Sequence, residues 1–305
     1  MVIEKVKRLF GYEADKIRYR SFGCFLAGIL SLSYFYYVPR VLFYFYDYMP
    51  WDNLYIMYTL GSYTSHLFAY VLINLGFYFL YTRNWNSIEK WKISPGPWPW
   101  ANKNKYDEDK KKLIKTALFN QIITLPVSLA IIGLRVKYII TPQEPDFITT
   151  LKQVAFFIVC EDFFFYWSHR MLHLPWFYKK IHKKHHEYQN SISPAAEYAH
   201  PFEYIFGNSL PVASGPILYG QSNVHIITWF TWVMFRTCNT AEGHSGYDIP
   251  FSPFRFCPFS TSSSFHEFHH YKNVGNYGSF LAIWDTILDT GSAFFEYMEK
   301  KEKVN

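Results

Sequence analysis

All but one of the twelve histidines fall after residue 168, and eight of them form three clusters. His169 and His173 stand four residues apart; His182, His185 and His186 form one H-x-x-H-H pattern, and His266, His269 and His270 form another. On a helix, residues three or four apart share a face with Cβ atoms about 5–6 Å apart, so two imidazoles can reach one ion. His200 and His244 lie singly between the clusters and join the candidate metal ligands. His66 and His225 are read as structural residues and excluded. A basic, exposed face would account for His182, His185 and His186 with their intervening lysines. It would not account for His169 and His173, which close an aromatic, apolar run.

The donor set selects the chemistry. Nearly all of it is imidazole, which suits iron, zinc, copper or nickel and not calcium or magnesium. Eight clustered histidines, ten with the singles, exceed one tetrahedral ion and imply two metals. Zinc has no redox chemistry. Two redox-active irons beside long apolar segments point instead to dioxygen activation, with dioxygen as co-substrate. Glu161, Asp162, Glu187, Glu197 and Glu267 are the carboxylates expected to orient imidazoles through their second nitrogen.

The elements that must position these residues are membrane helices. Phe22–Val38 is free of charge for 17 residues, Asn53–Thr82 for 30 and Thr116–Leu134 for 19. A hydrocarbon core about 30 Å thick needs roughly 20 helical residues, so these are three expected spans. A fourth runs from about Leu151 to Trp167, interrupted by Glu161 and Asp162. Lys and Arg crowd the N-terminal segment and the stretch from Arg83 to Lys115, while the loop between the first two spans holds only Arg40. By the positive-inside rule this predicts two hairpins with the histidines on the cytosolic side. The uncharged run Tyr204–Phe235 contains Pro211, Gly215, Pro216 and Gly220, which predicts a broken or re-entrant hairpin. The expected architecture is an all-α integral membrane protein: about four transmembrane helices in two hairpins, under a cytosolic helical cap that holds a dimetal site. Residues 1–150 would be the membrane anchor with its basic loop, 151–290 the catalytic region, and 291–305 a charged tail.

Composition narrows the class further. Aromatic residues make up 22% of the 305 and charged ones only 18%, which excludes a disordered chain. The four cysteines are scattered, so no disulfide framework or zinc ribbon is expected. A net charge of +6 that flanks apolar runs gives no nucleic-acid footprint. Neither a dinucleotide fingerprint nor a fused haem domain is present, so electrons must come from another protein. A cleaved signal peptide is not expected, and the Lys301 and Lys303 pair resembles a cytosolic retrieval signal.

The order of the three clusters resembles the fatty acid hydroxylase superfamily of membrane di-iron oxidases. Several stretches look closer still to the 4-methylsterol monooxygenases within it: Glu161-Asp162, His182 to Tyr188, Ala196-Glu197-Tyr198-Ala199-His200-Pro201, His244 to Pro250, and Gly275-Asn276-Tyr277. The resemblance is specific from about Val154 to Asp289. It departs at Ser264 and Phe265, where the family usually carries a basic residue and a further histidine, and at Ile283-Trp284 before Asp285. It implies a multi-pass endoplasmic reticulum enzyme with its ten histidines at a cytosolic site. It further implies two irons per chain, a sterol substrate, and cytochrome b5 with an NAD(P)H-dependent reductase as electron donors. The reaction implied takes a 4-methyl group to alcohol, aldehyde and carboxylate. A sterol desaturase, a side-chain dealkylase or a lipid hydroxylase would share the same clusters, and a catalytically silent subunit would retain only the fold.

Overall fold

Long uncharged stretches set the longest helices. A computed structural model describes residues 2–45, 48–83, 85–94, 97–188, 191–256 and 259–302. Lys303 of the retrieval pattern, with the last two residues, and part of the proline-rich loop, Pro95 and Gly96, lie outside them. The chain runs through α1 (Val2–Tyr44), α2 (Leu54–Arg83), α3 (Asn86–Glu89), α4 (Lys103–Phe119), α5 (Leu125–Gly133), α6 (Phe147–Leu172) and α7 (Pro175–Lys180). The remainder holds α8 (Pro201–Glu203), α9 (Leu210–Tyr219), α10 (Ile226–Gly243), α11 (Ser263–Lys272), α12 (Ile283–Ile287) and α13 (Ser292–Glu302). Pairing between extended segments is limited, among the described residues, to isolated bridges such as Lys92 with Tyr247.

Three stretches are long and apolar enough to cross a membrane: Phe22–Tyr44, Leu54–Arg83 and Tyr106–Gly133. Large apolar side chains such as Phe22, Phe68, Leu75, Ile122 and Ile131 point outward from them. A water-soluble surface rarely carries so large an apolar band, whereas lipid requires one. The all-helical membrane architecture therefore stands, with one adjustment. The segment expected to supply a fourth crossing is the middle of α6, and it is not among the three. Lys152, Glu161, Asp162 and Arg170 divide its apolar character, and the two acids are fully buried against protein.

Two π turns interrupt otherwise continuous helix, at Asn120–Thr124 and Tyr204–Ser209. Each is followed by a proline near the start of the next helix, Pro126 in α5 and Pro211 in α9. Proline has no N–H to give the carbonyl four residues back, so the ladder widens by one residue there. The run Tyr204–Phe235 is indeed a broken helical pair. α9 ends at Gly220, whose φ of +89° reverses the chain, and α10 returns. At Gly215 a Cβ would lie 2.6 Å from the Cα of Phe157, so only glycine lets α9 close on α6. α10 is the central helix: every residue from Ile226 to Thr237 is buried, with Trp229, Phe230, Trp232 and Phe235 in the main core. A helix apolar on all sides has to be surrounded by protein in this way.

Candidate metal centre

The histidines arrive on four elements. His169 lies in the last turn of α6, with His173 as its C-cap; His182, His185 and His186 share one 3₁₀ turn (His182–Glu187). His244 caps the C-terminus of α10, and α11 carries His266, His269 and His270. The side chains gather into two adjoining groups. His169, His173, His182, His186 and His269 form one, and His185, His244, His266 and His270 the other; within each, one nitrogen per residue lies within 4.8 Å of all the rest. The spacing explains the division. The i, i+4 pairs 169/173, 182/186 and 266/270 each stay together, while the middle histidine of each triplet, His185 or His269, crosses to the other group.

Hydrogen bonds fix which nitrogen is free. Nδ1 of His169 donates to the carbonyl of Tyr277 (3.0 Å), that of His185 to Tyr198 (3.2 Å), that of His244 to Thr240 (2.8 Å) and that of His269 to Gly275 (2.7 Å). A carbonyl only accepts, so these four imidazoles carry their proton on Nδ1 and present a bare lone pair on Nε2. Nδ1 of His182 is held by Glu203 Oε1 at 2.8 Å. Yet the Nε2 atoms of His185 and His244 are only 3.1 Å apart. Two lone pairs at that distance repel unless a cation lies between them. A proton is disfavoured: burial lowers His185 to about 4 and His244 to about 3. His269 and His270 are also held well below 6.5, by burial first and by neighbouring imidazoles second. Convergent, neutral, pre-oriented imidazoles are what a divalent transition metal requires, and the nine residues fit two such ions.

His200, the tenth expected ligand, is not brought into either group. It stands directly before Pro201, where the chain enters a helical turn, and its Nδ1 accepts from the backbone N–H of Phe202. The five expected orienting acids also bond elsewhere. Glu161 accepts from Arg236 Nε (2.6 Å) and Ser279 Oγ (3.1 Å); Asp162 accepts from the backbone of Ser279 and Leu281. Glu187 accepts from the Tyr198 hydroxyl, Glu267 from the Ser191 backbone, and Glu197 lies 3.6 Å from His66. Their effect on the imidazoles is indirect. Glu161 and Asp162 anchor the loop whose Tyr277 carbonyl orients His169, and Asp285 fastens the same loop through the N–H groups of Tyr277 and Gly278. Glu203 was missed. The available signal was a lone acid at the border of the long uncharged run that begins at Tyr204.

A cavity of about 70 Å³ adjoins the centre, and a second of about 90 Å³ adjoins the first. The first is bounded by His169, His182, His185, His244 and His266. The second runs among α2, α5, α9 and α10 and is lined mainly by apolar and hydroxyl side chains.

Residues 154–290, which contain all nine grouped histidines, match the fatty acid hydroxylase family. Methylsterol monooxygenase 2-2 of Arabidopsis thaliana is 32% identical over 205 residues, 65% of this chain and 71% of that protein. The chain belongs to the fatty acid hydroxylase superfamily. Other members are similar over shorter stretches. A very-long-chain aldehyde decarbonylase of Oryza sativa, GL1-8, is 37% identical over 161 residues, which span a little over half (57%) of its length. Fatty acid hydroxylase domain-containing protein 2 of Homo sapiens is 40% identical over 147 residues, 47% of this chain and 43% of that one. No solved structure matches the chain significantly.

Proposed function

We propose that this chain is a membrane di-iron monooxygenase that oxidises the 4-methyl group of a sterol. The observation that carries the reading is the pair of all-imidazole groups whose nitrogens converge, with Nδ1 of five of the nine rings tied down by a carbonyl or a carboxylate. His169, His173, His182, His186 and His269 would hold one iron; His185, His244, His266 and His270 would hold the other. Bound there, the two irons would supply redox chemistry with dioxygen, which an unactivated methyl group needs and no side chain offers. In each round a C–H bond becomes C–OH as one dioxygen, two electrons and two protons are consumed and one water is released; in the second round the gem-diol so formed loses a further water to give the aldehyde. Three rounds lead to the carboxylate.

The protein's own residues do the remaining work. Tyr277, Tyr198, Thr240 and Gly275 hold the imidazoles in one tautomer through their carbonyls. Burial of His269 and His270 keeps bulk water from the centre. The apolar second cavity receives the hydrocarbon part of the substrate, whose entry requires the helices around it to part, since ligand pockets commonly reach about 300 Å³ or more. Residues 151–290 form the catalytic region, 1–150 the anchor and 291–305 the tail. The site faces the cytosol of the endoplasmic reticulum, and cytochrome b5 with its NAD(P)H-dependent reductase delivers electrons at the basic face.

Support for a sterol comes from the extent of similarity, 205 residues with the methylsterol monooxygenases against 161 with the decarbonylases. The higher identity of the latter, 37%, favours a second reading, oxidative cleavage of a long-chain aldehyde. Membranes containing the protein should be incubated with 4-methylsterols, NAD(P)H, cytochrome b5 and dioxygen, and the products identified by mass spectrometry. Oxygenated 4-methyl products are expected. Hydrocarbon from a long-chain aldehyde, with the sterols untouched, would overturn the sterol reading.

A further inference from the structure

One cation stands between the two cavities. Ala196, Asn208, Arg236 and Thr240 border both, and of these only Arg236 is charged. It is 4% exposed. Its Nε donates to Glu161, and its Nη1 to Thr240 Oγ1 with a longer contact to Asn239. Its guanidinium lies 5.4 Å over the rings of both Phe165 and Phe280. Phe165 in turn packs edge-on against His169, with ring centroids 5.1 Å apart. Nη2 has no bond to any described residue. A guanidinium buried at this cost, with one edge left open on a cavity, offers directed donors to an oxygen atom.

The face of α10 gives the direction. Trp229, Val233, Arg236, Thr237 and Thr240 follow one another at helical spacing along the second cavity, and the same face continues to His244 at the metal centre. A flat apolar molecule lying along this face brings one end to Arg236 and to the imidazoles beyond it.

We propose that Arg236 holds the substrate's hydroxyl oxygen near the methyl group to be oxidised, and so selects lipids with an oxygen on the carbon adjacent to the one that bears the target methyl. This rests on the sterol-oxidase reading and deepens it. In a 3-hydroxy-4-methylsterol the oxygen and the methyl group sit on adjacent ring carbons. Any group that grips the oxygen must therefore lie on the metal side, while the rings extend into the apolar cavity. Arg236 occupies that junction.

The test is equilibrium binding to the metal-loaded, detergent-solubilised full chain, with no turnover. The probes are a 3-hydroxy-4,4-dimethylsterol and its 3-deoxy counterpart. Wild type should prefer the hydroxysterol by about 10- to 100-fold, the range expected for a hydrogen bond to a charged group. E161Q combined with R236M removes the buried pair as a unit, leaves no charge uncompensated, and should bind both probes alike. R236K keeps the charge opposite Glu161, so it protects the fold, and should reduce the preference several-fold. Equal binding of the probes by wild type, or an unchanged preference in R236K or in the double variant, overturns the proposal. Wild type that binds neither sterol overturns the sterol reading and this proposal together.

Discussion

Glu203→Gln replaces the carboxylate that holds Nδ1 of His182 with a neutral group of the same shape. Loss of such a partner typically lowers metal affinity about 10- to 100-fold. Iron content against chelator should fall accordingly, with the protein still in the membrane; unchanged retention would show that the bond does not position the ligand. His185→Ala and His269→Ala each remove a nitrogen from a group, and both should abolish product and reduce bound iron. His200→Ala should keep the metal and lose only a helix cap, costing about 0.5–2 kcal/mol of stability; a drop in iron content would contradict that assignment. The histidines were legible because imidazole clusters are rare and their i, i+4 spacing has one geometric meaning. The acids were not. Asp162 shares a helical face with His169, but backbone N–H groups of the loop at Ser279 and Leu281 reach its carboxylate first. That loop lies more than a hundred residues away in sequence, beyond the reach of any local spacing argument.

At the scale of elements, the contact between α6 and α9 tests how packing governs the site. Gly215→Leu would place side-chain atoms on the backbone of Phe157. Separating the helices should cost about 1–3 kcal/mol or more. It should also lower metal occupancy, because α6 carries His169 and His173 twelve and sixteen residues beyond that contact. A variant with wild-type thermal stability and iron content would refute the link. Charge-free length made α1, α2 and the α4–α5 segment readable from sequence, and Pro211 and Gly220 marked the broken pair. α6 was harder. Its length fits a crossing, and only the tertiary arrangement shows Glu161 facing Arg236 and Asp162 facing a loop.

For the whole molecule, acid is the sharpest global probe. In the metal-free protein burial holds His173 and His185 at about 4 and His244 at about 3, against an ordinary 6.5. The unfolded chain binds protons that the folded one refuses, so stability is complete above about pH 6.5 and declines as pH falls toward 4. Each such group contributes up to about 1.4 kcal/mol per pH unit across that window. Glu197, Glu242 and Glu267, pushed up to about 7 by burial, act oppositely as pH rises from 4.5. Glu161, Asp162, Glu203 and Asp285 are raised by burial as well, and these seven carboxyls only partly offset the nine grouped imidazoles. The thermal midpoint of stripped protein should drop between pH 7 and pH 5, and a flat profile would refute the neutral-imidazole description. Topology is tested separately: glycosylation acceptors placed near Lys90 and Lys180 should both stay unmodified. The crossing of His185 and His269 between the two groups has a further consequence for loading. Whichever ion enters first freezes both the 182–186 turn and α11, so the ordering entropy of the second pocket is already spent. The second ion then meets a rigid receptor and binds more tightly than the first. Titration with ferrous iron should therefore pass from empty to doubly loaded chains with scarcely any singly loaded species in native mass spectra.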